Sequence, residues 1–187
     1  DYLYYSKKYN NLTTQFFYIP HCVNQSVFKN YNLKKKYDVV LSMFHVISYL
    51  TNNEKVTSAF KNANKHIKKN GLFIFDFWYT PAVLSQKPTR KIKKIKKNNL
   101  ELTRIAQPTN HINSNIVDVN YKIIVKDLKL KSLEIFNELH SMRHFSLPEI
   151  DLLASIHGFE RIKALDILTK KKPGKDTWGL CVFLKKK

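Results

Sequence analysis

A chain of 187 residues that is 43% hydrophobic, with 10 Tyr and 12 Phe, carries enough apolar material for one packed domain and is not a disordered segment. Its longest apolar runs fall far short of the ~20 residues that cross a bilayer, so no membrane-spanning helix is expected. Against 14 Asp and Glu stand 33 Lys and Arg, a formal charge of +19 that would attract nucleic acid or anionic lipid, yet Lys is scattered from Lys7 to Lys187, which suits a solvated coat better than a nucleic-acid footprint.

Cys22 and Cys181 lie far apart and supply neither a metal-ligand spacing nor a disulfide framework, which points to a reducing cytoplasm. Tyr37-Asp38-Val39-Val40-Leu41-Ser42 is short, apolar and rich in β-branched residues, the composition of a buried strand. Asn52 or Asn53 then caps a helix in which Val56, Ala59, Phe60, Ala63 and Ile67 repeat at helical period. Lys65, His66, Lys68 and Lys69 fall in its last turn, and Gly71 is the expected left-handed residue that ends it. Leu72-Phe73-Ile74-Phe75-Asp76-Phe77-Trp78 is a second buried strand. Strand, amphipathic helix and strand, with both strands buried on both faces, make a βαβ unit of a parallel sheet.

From about Arg90 the pattern changes. Lys91, Lys93, Lys94, Lys96 and Lys97 read as an edge strand guarded by charge. Residues 100–105, 116–125 and 131–145 alternate apolar and polar, as half-exposed antiparallel strands do, with turns expected at Pro108-Thr109-Asn110 and Lys126-Asp127. Ser146-Leu147-Pro148-Glu149 has the form of a capping box with Pro in the first turn. Ile150, Leu153, Ala154 and His157 form the inner stripe of that helix, and Gly158-Phe159 stops it. Residues 161–168 and 177–184 are strands joined through Lys172-Pro173-Gly174-Lys175.

The stretch 37–50, ending Met43-Phe44-His45-Val46-Ile47-Ser48-Tyr49-Leu50, resembles strand four and the following loop of class I S-adenosylmethionine-dependent methyltransferases. His66-Ile67-Lys68-Lys69-Asn70-Gly71 and the strand after it resemble that family's turn into strand five, and Glu149 to Phe159 its last helix. The subgroup nearest in pattern includes sugar N,N-dimethyltransferases. The resemblance implies an α/β fold: a Rossmann-like methyltransferase sheet lacking its first strands, with residues 1–89 and 145–187 as incomplete core. Residues 90–144 would be an inserted antiparallel sheet covering the acceptor pocket.

It further implies S-adenosyl-L-methionine as cofactor and a small-molecule methyl acceptor as partner, methylated on nitrogen or oxygen. Ligands of open α/β sheets bind beyond the carboxyl ends of the strands. That puts Ser42, Met43 and Phe44 on the cofactor and makes His45 the catalytic candidate, since an imidazole can orient the acceptor or take its proton near neutrality. Asp76, Trp78, Tyr79 and Arg143 are expected on the substrate side. No metal is expected, because His140, Arg143 and His144 are joined by no carboxylate or Cys in a coordinating pattern, and regular alternation turns Arg143 away from both histidines.

The glycine-rich turn that lets a backbone approach the cofactor is missing: the four glycines are Gly71, Gly158, Gly174 and Gly179. The stretch Asn24-Gln25-Ser26-Val27-Phe28, which matches the segment after strand three, lacks the expected acidic residue. With the start on Asp1, this leads to the expectation of a fragment whose first βαβ unit, roughly 60–100 residues, lies upstream. The alternative is a basic, non-catalytic nucleic-acid-binding or partner subunit on a degenerate methyltransferase fold.

Overall fold

The computed structural model describes residues 36–187. Asp1, Cys22 and the stretch 24–28 lie outside the described residues. Strand β1 (Tyr37–Ser42) leads through a 3-10 turn (Val46–Tyr49) to helix α1 (Asn53–His66) and strand β2 (Ile67–Tyr79). Helix α2 (Thr80–Gln86) precedes four antiparallel strands, β3 (Lys91–Lys97), β4 (Leu100–His111), β5 (Ile116–Asp127) and β6 (Ser132–Phe145). Helix α3 (Leu147–Ile156) and strands β7 (Phe159–Asp166) and β8 (Gly179–Lys186) close the chain. No helix among the described residues is long and apolar enough to cross a membrane.

The eight strands form one sheet in the order β3-β4-β5-β6-β2-β8-β7, with β1 also paired to β2. β1 and β2 are parallel, in register from Val39 opposite Leu72 to Ser42 opposite Phe75. β8 runs antiparallel along the other edge of β2. Where β1 ends, β6 takes over the same edge through the pairs Trp78–His144 and Tyr79–Phe145. β2 is therefore the central strand, and the antiparallel block joins it at its carboxyl end.

The core lies between β2, β8 and the helices α1 and α3. Phe73, Phe75 and Phe77 alternate onto the helical face with Leu180, Val182 and Leu184. From α1, Phe60 meets Phe73, Phe75 and Phe159 edge-on, with centroids 5.6–6.5 Å apart, the geometry that ring quadrupoles favour. Asn52 caps α1 by accepting the Lys55 N–H, at 2.8 Å. Ser146 caps α3 by accepting the Glu149 N–H, but Glu149 does not close the capping box: its carboxylate goes to Arg143, at 2.7 Å. Gly158, at φ +74°, supplies the left-handed residue after α3.

Several expectations need correction. The left-handed residue after α1 is Asn70, at φ +64°, and not Gly71. Gly71 is required for a different reason: a Cβ there would lie 2.7 Å from the Asp38 carbonyl and 2.6 Å from Ile67. α1 ends at His66, so Lys68 and Lys69 belong to β2, where Lys68 pairs with Asp38 at 2.9 Å. The Pro108-Thr109-Asn110 segment is not a turn but part of β4, opposite Val119, Asp118 and Val117. Proline is tolerated there because β3 pairs only as far as Ala106, leaving that edge of β4 without a partner strand among the described residues. The final strands begin two residues from where expected, at Phe159 and Gly179. β1 is not buried on both faces: Val39 and Leu41, on the side away from α1, are 43% and 48% exposed. β3 does form the outer edge, with every residue exposed.

Candidate functional site

Beyond Ser42 the chain passes through two left-handed residues in succession, Phe44 at φ +67° and His45 at φ +60°. Neither is a residue that adopts this conformation cheaply; the cost is about 1–2 kcal/mol each. The compensating group is Asp76. Its carboxylate, buried among the parallel strand ends, accepts the His45 N–H at 3.0 Å and stands 3.1 Å from His45 Nδ1. Burial pushes the Asp76 carboxyl above the ordinary aspartate range, and the His45 N–H and imidazole pull it back, helped by the N–H groups of Asp76 and Phe44. An acidic residue buried at a strand end thus holds the strained loop of the neighbouring strand.

The result is an aromatic ring displayed to solvent. Phe44 is 65% exposed, although its backbone is fixed by the carboxylate behind it. His45 rests over Gly179 of β8. A Cβ at that position would lie 3.0 Å from His45 Cε1 and 3.1 Å from Ile167, so the imidazole occupies space that only a glycine leaves open. Sequence reading missed Gly179, whose role depends on β8 lying beside β2.

The 3-10 turn completes the wall. Buried Ser48 accepts the backbone N–H of Trp78, at 3.0 Å, in the gap on the β2 edge between β1 and β6. Trp78 packs edge-on against Trp178 at 5.4 Å and joins a second apolar cluster of Val83, Val117, Val119, Ala106 and Tyr121. Tyr49 reaches the antiparallel block, where its hydroxyl lies 2.7 Å from His140 Nδ1. His144 is buried, with Nδ1 2.9 Å from the Thr80 hydroxyl. Desolvation, and secondarily the charge of Arg143, lowers its pKa from 6.5.

The sequence-derived candidates divide between the two faces of the sheet. Phe44, His45, Asp76 and Trp78 gather on the face away from α1 and α3, and Met43 is half-buried in the same loop. Ser42 pairs with Phe75 and shares its helical-face parity, and Tyr79 packs on the main core. Arg143 is also turned to the helical face: its guanidinium bonds Glu149 at 2.7 Å and Asn53 at 2.9 Å and lies over the Phe145 ring. As alternation predicts, His140 and His144 point the other way.

No protein-family model matches the chain, and no curated protein matches it. Solved structures do. An S-adenosylmethionine-dependent methyltransferase from Clostridium acetobutylicum superposes with a TM-score of 0.66 at 20% identity, over 83% of this chain and 61% of that one. The sugar N-methyltransferase from Streptoalloteichus gives 0.67 at 14% identity, over 84% and 59%. An amino pentose methyltransferase from Micromonospora echinaspora, solved with S-adenosylmethionine bound, gives 0.65 at 14% identity, over 84% and 61%. The chain spans about three fifths of the length of these structures.

Proposed function

We propose, starting from the class I methyltransferase fold that the chain shares with these structures, that it forms the acceptor-side part of a transferase moving a methyl group from S-adenosylmethionine to a small molecule. The observation that carries this reading is the meeting of the loop after β1 with the carboxyl-terminal part of β2, His45 against Asp76, at the end of two parallel strands. Open α/β sheets bind their ligands at such a place.

The residues present fit the donor. A phenyl ring held out of the core at the cost of a left-handed backbone suits a purine or a sulfonium, since bases stack on aromatics and cations favour ring faces. In this reading Phe44 and Met43 lie against the donor, Ser42 supports the strand end beneath them, and His45 orients the acceptor. Asp76 acts through the loop it holds. Trp78 forms the acceptor wall, while Tyr79 and Arg143 brace it from the helical side. When bound, the donor supplies a methyl group on a positively charged sulfur, and the protein's task is alignment.

The glycine-rich turn of the family is absent from residues 1–187; in this reading it is contributed by residues upstream. Titration calorimetry with S-adenosylmethionine tests the assignment. A form extended upstream should bind the donor at least about tenfold more tightly than the 187-residue chain, and Phe44→Ala should weaken the extended form by about tenfold, in line with ~1–3 kcal/mol per stacked base. No binding by the extended form would refute it.

A further inference from the structure

Three side chains that the preceding reading leaves unused form a hydrogen-bonded series on the same face of the sheet as His45. The Tyr49 hydroxyl lies 2.7 Å from His140 Nδ1, and His140 Nε2 lies 3.1 Å from Glu138 Oε2. The groups come from separate elements: Tyr49 ends the 3-10 turn that follows His45, while His140 and Glu138 lie on β6. The imidazole also meets the Tyr121 ring of β5 edge-on at 5.1 Å, and Arg104 of β4 lies over that ring. Tyr49 and His140 are both half-buried.

The bonding fixes the proton inventory. Glu138, as a carboxylate, only accepts, so the neutral imidazole donates through Nε2 and leaves Nδ1 as an acceptor. The Tyr49 hydroxyl then donates to Nδ1. This is the arrangement of a base oriented by a carboxylate and reached through a hydroxyl.

We propose that Tyr49, His140 and Glu138 form a proton relay that deprotonates an amine acceptor, an inference that rests on the methyltransferase reading above. An aliphatic amine arrives mostly as ammonium near neutral pH, and in that form it has no lone pair with which to attack. In the relay step the ammonium N–H bond breaks and its proton joins the Tyr49 oxygen, while the Tyr49 O–H bond breaks and that proton joins His140 Nδ1. The amine is left neutral and the imidazolium faces Glu138, which balances its charge. His140, 18% exposed at its side chain, returns the proton to solvent. An aliphatic hydroxyl is too weak an acid to pass a proton along this path, so the relay selects nitrogen over oxygen. Tyr49 is the group that touches the acceptor; His140 and Glu138 act through it.

The test uses the donor-binding form of the protein with glucosamine as amine probe and glucose as hydroxyl probe, following S-adenosylhomocysteine release. Tyr49→Phe and His140→Gln should each lower glucosamine turnover by about a hundredfold, with donor affinity by calorimetry unchanged within about twofold. Raising the pH from about 7 to about 9 should raise the Tyr49→Phe rate by about fivefold, because the neutral fraction of the free amine grows as the pH passes its pKa; a variant harmed only in its packing gains nothing from this. Independently of turnover, imidazole nitrogen NMR should find neutral His140 protonated on Nε2. A proton on Nδ1, unchanged turnover in both variants, absence of alkaline rescue, or donor binding without glucosamine turnover would each overturn the relay. Failure to bind the donor would instead defeat the methyltransferase reading on which it stands.

Discussion

At the scale of single residues, the site depends on what Asp76 and Gly179 allow. Asp76 keeps two side-chain-bearing residues left-handed, and Gly179 leaves room for the imidazole that results. Gly179→Ala sets a methyl group 3.0 Å from His45 Cε1 and 3.1 Å from Ile167, closer than ordinary contact. The expected outcome is a displaced His45, turnover reduced about tenfold or more, and a stability loss of about 1–3 kcal/mol by urea denaturation. His45 itself was legible in the sequence because it follows an apolar strand. Its partner was legible only as a carboxylate ending another such strand; that Asp76 faces the His45 loop depends on register, which periodicity does not fix. Gly179 gave no signal at all, since a glycine that makes room for a residue 134 positions earlier looks like any loop glycine.

At the scale of elements, β1, α1, β2, β6 and α3 were readable because each carries a period and a boundary signal in its own residues. The errors fell where the reason for a residue lies in a neighbour. Gly71 invites the helix-stop reading, yet Asn70 takes the positive φ and Gly71 admits the Asp38 carbonyl. The two substitutions should therefore differ in sign. Asn70→Gly should be neutral or stabilising by up to about 1 kcal/mol, since it relieves a left-handed non-glycine residue. Gly71→Ala should cost about 2–3 kcal/mol, because backbone stands in the way. Thermal denaturation of both variants checks this. Pro108 misled for a related reason: proline signals a turn unless the strand edge it disables has no partner to lose, and the start of β3 at Lys91, opposite Ala106, leaves Pro108 in that situation among the described residues.

At the scale of the whole molecule, the buried histidine between α2 and β6 links stability to acidity. His144 is held neutral by desolvation, so its folded pKa lies below its unfolded value near 6.5. Its contribution is therefore complete above about pH 6.5 and is lost as the pH falls through that value toward the folded pKa, because the unfolded chain takes up the proton first. The melting temperature should drop between about pH 6.5 and pH 5, and His144→Gln should flatten that part of the profile; an unchanged slope in the variant would assign the acid sensitivity elsewhere. His157, lowered by desolvation and Lys61, acts in the same direction.

The four-strand block is stitched to the central strand by only two residue pairs, Trp78–His144 and Tyr79–Phe145. So short a seam leaves the inclination of that panel to the side chains propping it, chiefly Tyr49 beneath one face and Arg143 beneath the other. Exchanging Arg143 would change that inclination without unpicking the ladder, so the width between the panel and the 3-10 turn is set by side chains and not by backbone pairing.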